Sequence, residues 1–393
     1  RDRLRSRGLG DVYKRQALNG GTNSNLNIIV DNSNAGADLT VDGTSITQLT
    51  FKNTSEYSGA LSGTGDVKNE GNLTVKGDES GFTGTFTQTN GSTVVDTTGK
   101  VFGGDKNIQA GSLNITSSDA IDYTNVHLSS GTQLNHTTTT TDQNTISSNT
   151  VDFSADAQGA SANFTATGVT GNYNIAENID NGKSNTISVS NSNVTLGTTD
   201  YTGNTNYNLT NSTLDLSADS NLDDYNFSNL TTNGTNKLNF NANIVDTSDP
   251  NVKAIETDTL NVESGNAVFE VGKVYITGEE NGQSEYNTSQ DVLSGNAQFV
   301  PDKSGEVVSV GATTSFQYEV KVTDDKQSIQ LSATGITNEN SLNDMNTLEG
   351  NRFFQFSIGD TSEYHIGKSL DATAKGDFYI SGRSDNAADS VLS

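Results

Sequence analysis

Only three histidines and no cysteine are available as imidazole or thiolate ligands and catalysts in 393 residues. His127 lies in Val126-His127-Leu128, whose alternation points it outward; His136 opens a run of threonines, and His365 stands between Tyr364 and Ile366. No two are close in sequence, so neither a Ser-His-Asp constellation nor a zinc ligand set is spelled out. The densest carboxylate group is Asp219-x-x-x-Asp223-Asp224. Such a cluster could work as acid and base on a carbohydrate or offer oxygen ligands to Ca²⁺, but it also reads as a solvated turn, and no EF-hand or calcium nonapeptide spacing accompanies it. The run Thr137–Thr141 would build a threonine ladder of the ice-binding kind only if T-x-T recurred at every repeat. Its spacing shows no such recurrence, so it reads as a loop. Asn-x-Ser/Thr triplets, among them those at Asn53, Asn72 and Asn211, are no more frequent than composition alone produces. No catalytic, cofactor-binding or metal-ligating residue is assigned, and no cofactor is expected.

The elements that would carry these residues must be built from an unusual composition. The chain has 48 Asn, 52 Thr, 44 Ser and 39 Gly but only 2 Pro, 1 Met and no Trp. Of seven Arg, five fall in the first 15 residues. That basic opening, RDRLRSRGLGDVYKRQ, lacks the apolar run of a signal peptide and shares no pattern with the chain from Ala17 onward. It resembles read-through of a sequencing adaptor, so residues 1–16 are expected to be non-native and the remainder a fragment. The formal net charge is −26, and without residues 1–16 it is more negative still. A nucleic-acid partner needs a basic footprint, and none is present.

Low hydrophobicity with high net charge is the usual mark of disorder. Here the apolar residues instead arrive in alternating triplets, such as Leu73-Thr74-Val75, Leu113-Asn114-Ile115 and Val194-Thr195-Leu196. Alternation over so few residues predicts short strands with one face buried. The triplets form two interleaved series. One runs Tyr173-x-Ile175, Val194-x-Leu196, Leu214-x-Leu216 and Leu238-x-Phe240; the other runs Ile187-x-Val189, Tyr207-x-Leu209 and Tyr225-x-Phe227. Two strands recurring about every 20 residues predict an all-β chain wound as a parallel β-helix, with Asn and Gly turning the corners.

Residues 61–115 are more specific. They read Leu61-x-Gly63-x-Gly65, Gly71-Asn72-Leu73-Thr74-Val75-x-Gly77, Phe82-x-Gly84, Gly91-Ser92-Thr93-Val94, Phe102-Gly103-Gly104 and Ala110-Gly111-Ser112-Leu113-Asn114-Ile115. This order of glycines and aromatics resembles the passenger-associated repeat of bacterial autotransporters. The resemblance covers about 55 residues, and the rest is similar to such passengers in composition and period only. It implies a right-handed parallel β-helix, exported and displayed at the cell surface with the outer membrane, acting as an adhesin or structural stalk. The translocation barrel of such proteins is missing from this chain, as are a signal peptide, an RGD tripeptide and a protease motif. The absence of Cys fits a chain threaded unfolded through a pore.

The organisation expected is a non-native segment 1–16, a β-helix over 17–247, a β-rich subdomain or cap over 248–336, and a further β-helical segment from 337 to 393. Asp249-Pro250 marks the first break. Phe316–Val322 and Ser328–Leu331, joined by Thr323–Gln327, predict an antiparallel hairpin. Residues 338–350 hold the one helical candidate, and Phe354-x-Phe356-x-Ile358, Tyr364-x-Ile366 and Phe378-x-Ile380 restart the triplets. The function expected is non-catalytic binding of host or bacterial surface glycans or proteins along an extended polar face, strengthened by multivalency. The competing readings are a β-helical polysaccharide lyase or glycoside hydrolase using clustered carboxylates, disfavoured by the scarcity of Lys and Arg, and a disordered spacer.

Overall fold

The computed structural model describes residues 26–96, 102–117, 124–138, 145–154, 161–177, 184–198, 200–201, 205–219, 222–243, 259–277, 285–309, 316–335, 355–358 and 379–382. The chain is all-β, with parallel strands stacked as a solenoid whose turns lie about 22 residues apart. It divides into two compact units, residues 1–212 with 227–234 and residues 213–226 with 235–393.

In the first unit two faces run the length of the stack. Face one is the parallel ladder Leu26–Asp31, Ile46–Lys52, Asp66–Asn69, Thr85–Gln88, Asp105–Ile108, Asn125–Leu128, Thr145–Asp152, Thr170–Ala176 and Asn193–Leu196. Face two is the ladder Asn34–Ala35, Thr54–Tyr57, Asn72–Val75, Ser92–Val95, Ser112–Ser117, Gln133–Thr138, Asn163–Thr167, Asn185–Ser190 and Thr205–Thr210, ending on residues 229–233. A short third ladder, Leu39–Thr40, Leu61–Gly63 and Gly81–Phe82, closes the earliest turns.

Alternate residues of each strand point inward and stack into columns. On face one Leu49, Val67, Phe86, Lys106, Val126, Val151 and Ile175 succeed one another in register, all buried. Lys106 takes a core place because its ammonium is fully partnered. It donates to the carbonyls of Phe102 and Gly104 (2.6 Å) and to Thr124 Oγ1 (3.1 Å), and lies 4.8 Å from the Phe102 ring centroid. Burial pulls its pKa well below the ordinary lysine value. Asn69, Gln88 and Thr93 are likewise buried and linked: Asn69 Nδ2 donates to Thr93 Oγ1 (2.9 Å), and Thr93 Oγ1 to Gln88 Oε1 (2.7 Å). Buried polar groups are tolerated where they are paired in this way.

The corners explain the Asn and Gly content. Between faces one and two the chain turns through left-handed residues, Asn32, Asn53, Gly91, Gly111 and Gly131. A Cβ at Gly111 would meet the Gly91 carbonyl oxygen at 1.7 Å, whereas one at Gly131 would meet nothing within 4 Å. Further along, the left-handed residues Gly168, Asn191 and Asn211 follow face-two strands instead. The tight corner has moved to the other edge of the coil. The longer connections move with it: 96–104 and 118–124 follow face-two strands, while 153–162, 177–184 and 197–204 follow face-one strands.

In the first unit the triplets at Tyr173 and Val194 lie on face one and those at Ile187 and Tyr207 on face two, with two corrections of register. Tyr173 pairs with Leu196, and it is Gly171 that pairs with Val194. On face two, Ile187 and Val189 stack on Tyr207 and Leu209, but Tyr207 continues onto Leu230, not onto Tyr225 or Phe227. On face one the shift is of two residues and preserves which side chains point inward, so alternation alone does not detect it. On face two Phe227 and Leu230 are both buried three residues apart, so the alternation itself breaks between them.

In the second unit Leu214 stacks on Leu238, and Lys237–Asn243 pairs in parallel with Leu260–Thr277. That long strand pairs in turn with Leu293–Phe299 and with Glu306–Ser309, so parallel pairing is present on both sides of residues 244–258. Phe316–Val322 and Ser328–Gly335 form the antiparallel hairpin, with Glu285–Asp291 as its third strand. The turn of the hairpin lies against Leu293–Phe299. Leu293 and Phe299 donate main-chain N–H groups to the Gln327 and Lys326 carbonyls (2.9 and 2.6 Å), and Gln327 Nε2 donates to the Gly295 and Ala297 carbonyls (3.1 and 3.0 Å). The side-chain amide thus stands in for a peptide group and closes an edge open to further pairing. Asp325 organises the turn, accepting from Thr323 Oγ1 and from the N–H groups of Gln327 and Ser328. Gln355–Ile358 pairs in parallel with Tyr379–Gly382. The helical candidate 338–350 and the triplet Tyr364-x-Ile366 lie outside the described residues. Among the described residues no helix is long and apolar enough to cross a membrane.

Two corner substitutions separate conformation from packing. Gly131→Ala, at φ 81° with open space around it, is expected to cost only the left-handed penalty of about 1–2 kcal/mol. Gly111→Ala adds a collision with main chain and should cost clearly more in urea denaturation; equal losses would contradict the stacked corner. For Gln327→Leu, faster amide exchange is expected along Leu293–Phe299 than in the native protein, measured by hydrogen–deuterium exchange.

Candidate ligand-binding face

The outward residues of face two form three columns from Ser112 onward. The first is Ser112, Gln133, Asn163, Thr186, Asn206 and Asn229, and the second is Asn114, Asn135, Thr165, Ser188, Asn208 and Thr231. The third is Thr116, Thr137, Thr167, Ser190, Thr210 and Asn233. None of these side chains is buried, and none is charged. The chain as a whole is 18% charged, so eighteen positions at that composition would carry about three charges.

The third column corrects the reading of Thr137 as a loop residue. Thr137 and Thr138 close the strand Gln133–Thr138, and Thr137 stacks between Thr116 and Thr167. The recurrence was hidden because 30 residues separate Thr137 from Thr167, against 20 from Ser190 to Thr210. The signal that finds it is local: a hydroxyl residue directly follows the second inward residue of each strand, as in Ile115-Thr116, Ala166-Thr167, Val189-Ser190 and Leu209-Thr210.

Side-chain bonds between neighbouring turns, and one within a strand, hold the array. Asn135 Nδ2 donates to Asn114 Oδ1 (2.8 Å), Asn229 Nδ2 to Asn206 Oδ1 (2.7 Å), and Asn114 Nδ2 to Ser112 Oγ (2.9 Å). Spacing along the stack is about 4.8 Å, and outward neighbours on one strand are about 6.6 Å apart. The result is a regular grid of hydroxyl and amide groups over a core column of Leu113, Leu134, Phe164, Ile187, Tyr207 and Leu230.

Face one differs in its electrostatics. Its outward columns include Asp66, Lys68, Asp105, His127 and Asp152, and Lys68 and Lys52 both pair with Glu70 (2.7 and 3.3 Å). His127, outward as its triplet indicates, bonds through Nδ1 to Asp152 Oδ2 at 2.7 Å on the next turn. That bond and the negative charge of Asp152 and Asp105 raise the His127 pKa against its partial burial. Burial opposes ionisation at Asp152, but bonds from His127 and Ser154 outweigh it and hold its carboxyl below the usual range. Ser154 Oγ bonds to Asp152 Oδ1 (2.7 Å), placing the carboxylate between hydroxyl and imidazole. A nucleophile is activated by the reverse order, with the imidazole in the middle.

The remaining candidates separate. His136 is a core residue in the column Ile115, His136, Ala166, with Nδ1 3.2 Å from the Tyr173 hydroxyl. Burial lowers its pKa to about 4. Asp223 and Asp224 sit in the 3-10 turn Leu222–Asp224 and, with Asp219, lie around Tyr225, whose pKa rises through burial and then through Asp219 and Asp224. Among the described residues no three His, Cys, Asp or Glu are grouped to hold a metal ion. His365 lies outside the described residues, and the sequon residues Asn53 and Asn211 are left-handed corner residues.

The two described histidines shift stability in opposite directions with pH. His136 titrates near 4 when folded against 6.5 when unfolded, so its contribution is present above pH 6.5 and is lost as pH falls towards 4. His127, with a raised pKa, contributes below 6.5 and loses that contribution as pH rises through its folded value. His136→Leu should therefore gain on the native chain between pH 7 and pH 4, by on the order of 3 kcal/mol in chemical denaturation. A stability difference independent of pH would show that His136 does not titrate as described.

No protein-family model matches this chain, and no curated protein or solved structure matches it.

Proposed function

We propose that the chain is a non-catalytic, surface-displayed solenoid, an adhesin or stalk of the autotransporter-passenger kind, which binds host or bacterial surface glycans or proteins along face two. The observation that carries the reading is the uncharged outward grid from Ser112 to Asn233 in a chain of net charge −26. A solenoid offers the same groups at every turn, so many weak contacts add along its length. The repeat-like residues 61–115 support the passenger assignment through their glycines, since Gly91 and Gly111 stack at one corner where a side chain has no room. Export and display at the outer membrane belong to the same proposal.

The test is retention of the purified chain on immobilised surface glycans and proteins, comparing two double variants. Thr165→Lys/Asn208→Lys charges face two, and Thr87→Lys/Asn107→Lys charges face one. Loss of at least about tenfold in retention is expected from the first and little change from the second. Equal behaviour of the two variants, both folded by circular dichroism, overturns the assignment of face two.

A further inference from the structure

Resting on the reading of face two as the binding face, we propose that its ligand is a neutral polysaccharide, an uncharged hydroxyl-rich polymer laid along the stack of strands. The scaffold itself does not require an uncharged face. On the turns from Asp105 to Leu196 face one carries Asp105, His127 and Asp152 on its outward positions, and on earlier turns both faces are charged, with Asp66 and Lys68 on face one and Glu56 on face two. Neutrality is therefore a property of face two from Ser112 onward and not of the fold.

Charge selects the ligand class. A polyanion approaching a chain of net charge −26 is repelled, and the grid holds no cation to offset that repulsion. A cationic ligand finds its complement on the acidic remainder and gains nothing from an uncharged grid. What the grid offers is paired donors and acceptors, because each amide and each hydroxyl both gives and accepts a hydrogen bond. Sugar hydroxyls have the same dual character. The amides are held in advance by bonds such as Asn135 to Asn114 and Asn229 to Asn206, which lowers the ordering cost of binding. The columns extend along the stack, so a polymer meets equivalent groups at turn after turn while a monosaccharide meets one set.

The experiment is co-sedimentation of the full chain with insoluble neutral polysaccharides (cellulose and a mannan), with acidic alginate as comparison, at low and high salt. Expected are binding to a neutral polymer, none to alginate, no weakening by salt, and competition by long but not short soluble oligomers. Thr165→Lys/Asn208→Lys should reduce that binding about tenfold, and Thr87→Lys/Asn107→Lys should leave it in place. Binding to alginate or to protein alone, still sensitive to the face-two variant, overturns the ligand class and leaves the binding face standing. Binding to a neutral polymer that ignores the face-two variant overturns both. Self-association of the chain that depends on face two, measured by analytical ultracentrifugation without polysaccharide binding, makes a second copy the occupant and overturns the inference.

Discussion

Main-chain pairing between successive turns is the constraint on which the rest of the molecule depends. In a parallel ladder each N–H and C=O that points along the stack must meet the next turn, because an unpaired group at that depth has no water to replace its partner. Register is therefore not adjustable residue by residue. Once Leu113 lies on Leu134, Ile115 must lie on His136, and a histidine enters the core for no reason of its own chemistry. Lys106 enters between Phe86 and Val126 by the same rule, and local carbonyls then supply the partners its ammonium needs.

The same constraint governs the corners. Turns only about 4.8 Å apart leave no room for a side chain where one corner carbonyl faces the next corner, and the chain must also turn through positive φ there. Glycine meets both demands, and asparagine meets the conformational one where space permits, as at Asn53, Asn191 and Asn211. The movement of this corner from one edge of the coil to the other, between Gly131 and Gly168, relocates the longer connections, and face one takes up a register irregularity there, between residues 146 and 149. Face two keeps its register across that change, which is why its outward columns continue from Ser112 to Asn233.

Charge is distributed accordingly. Like charges stacked in neighbouring turns repel, and face one separates Asp66 from Asp105 by Thr85 and pairs Asp152 with His127. Face two carries Glu56 on an early turn, paired with Lys76, but from Ser112 onward its outward columns omit charge and tie amides to one another. The two surfaces of one ladder system therefore present different chemistry, one ionic and one made of dipoles.

Strand existence, parity and fold class were legible in the residues, because the triplets alternate over a buried core and the repeat is close to regular. The outward position of His127 and the hairpin at Thr323–Gln327 come from the same local rules. The stacking of Gly171 beneath Val194, the continuation of Tyr207 onto Leu230 and the third column through Thr137 did not. Each depends on how many residues the intervening connection absorbs, and connections of unequal length erase the period; between Phe227 and Leu230 they break the alternation as well. The amino-acid sequence by itself determined that the chain is built of short strands and, within its apolar triplets, which side chains point in; it did not place His136 or Lys106 in the core. Only the stacked structure decided which residues are neighbours between turns, because that choice is made by main-chain pairing across connections whose lengths carry no periodic signal.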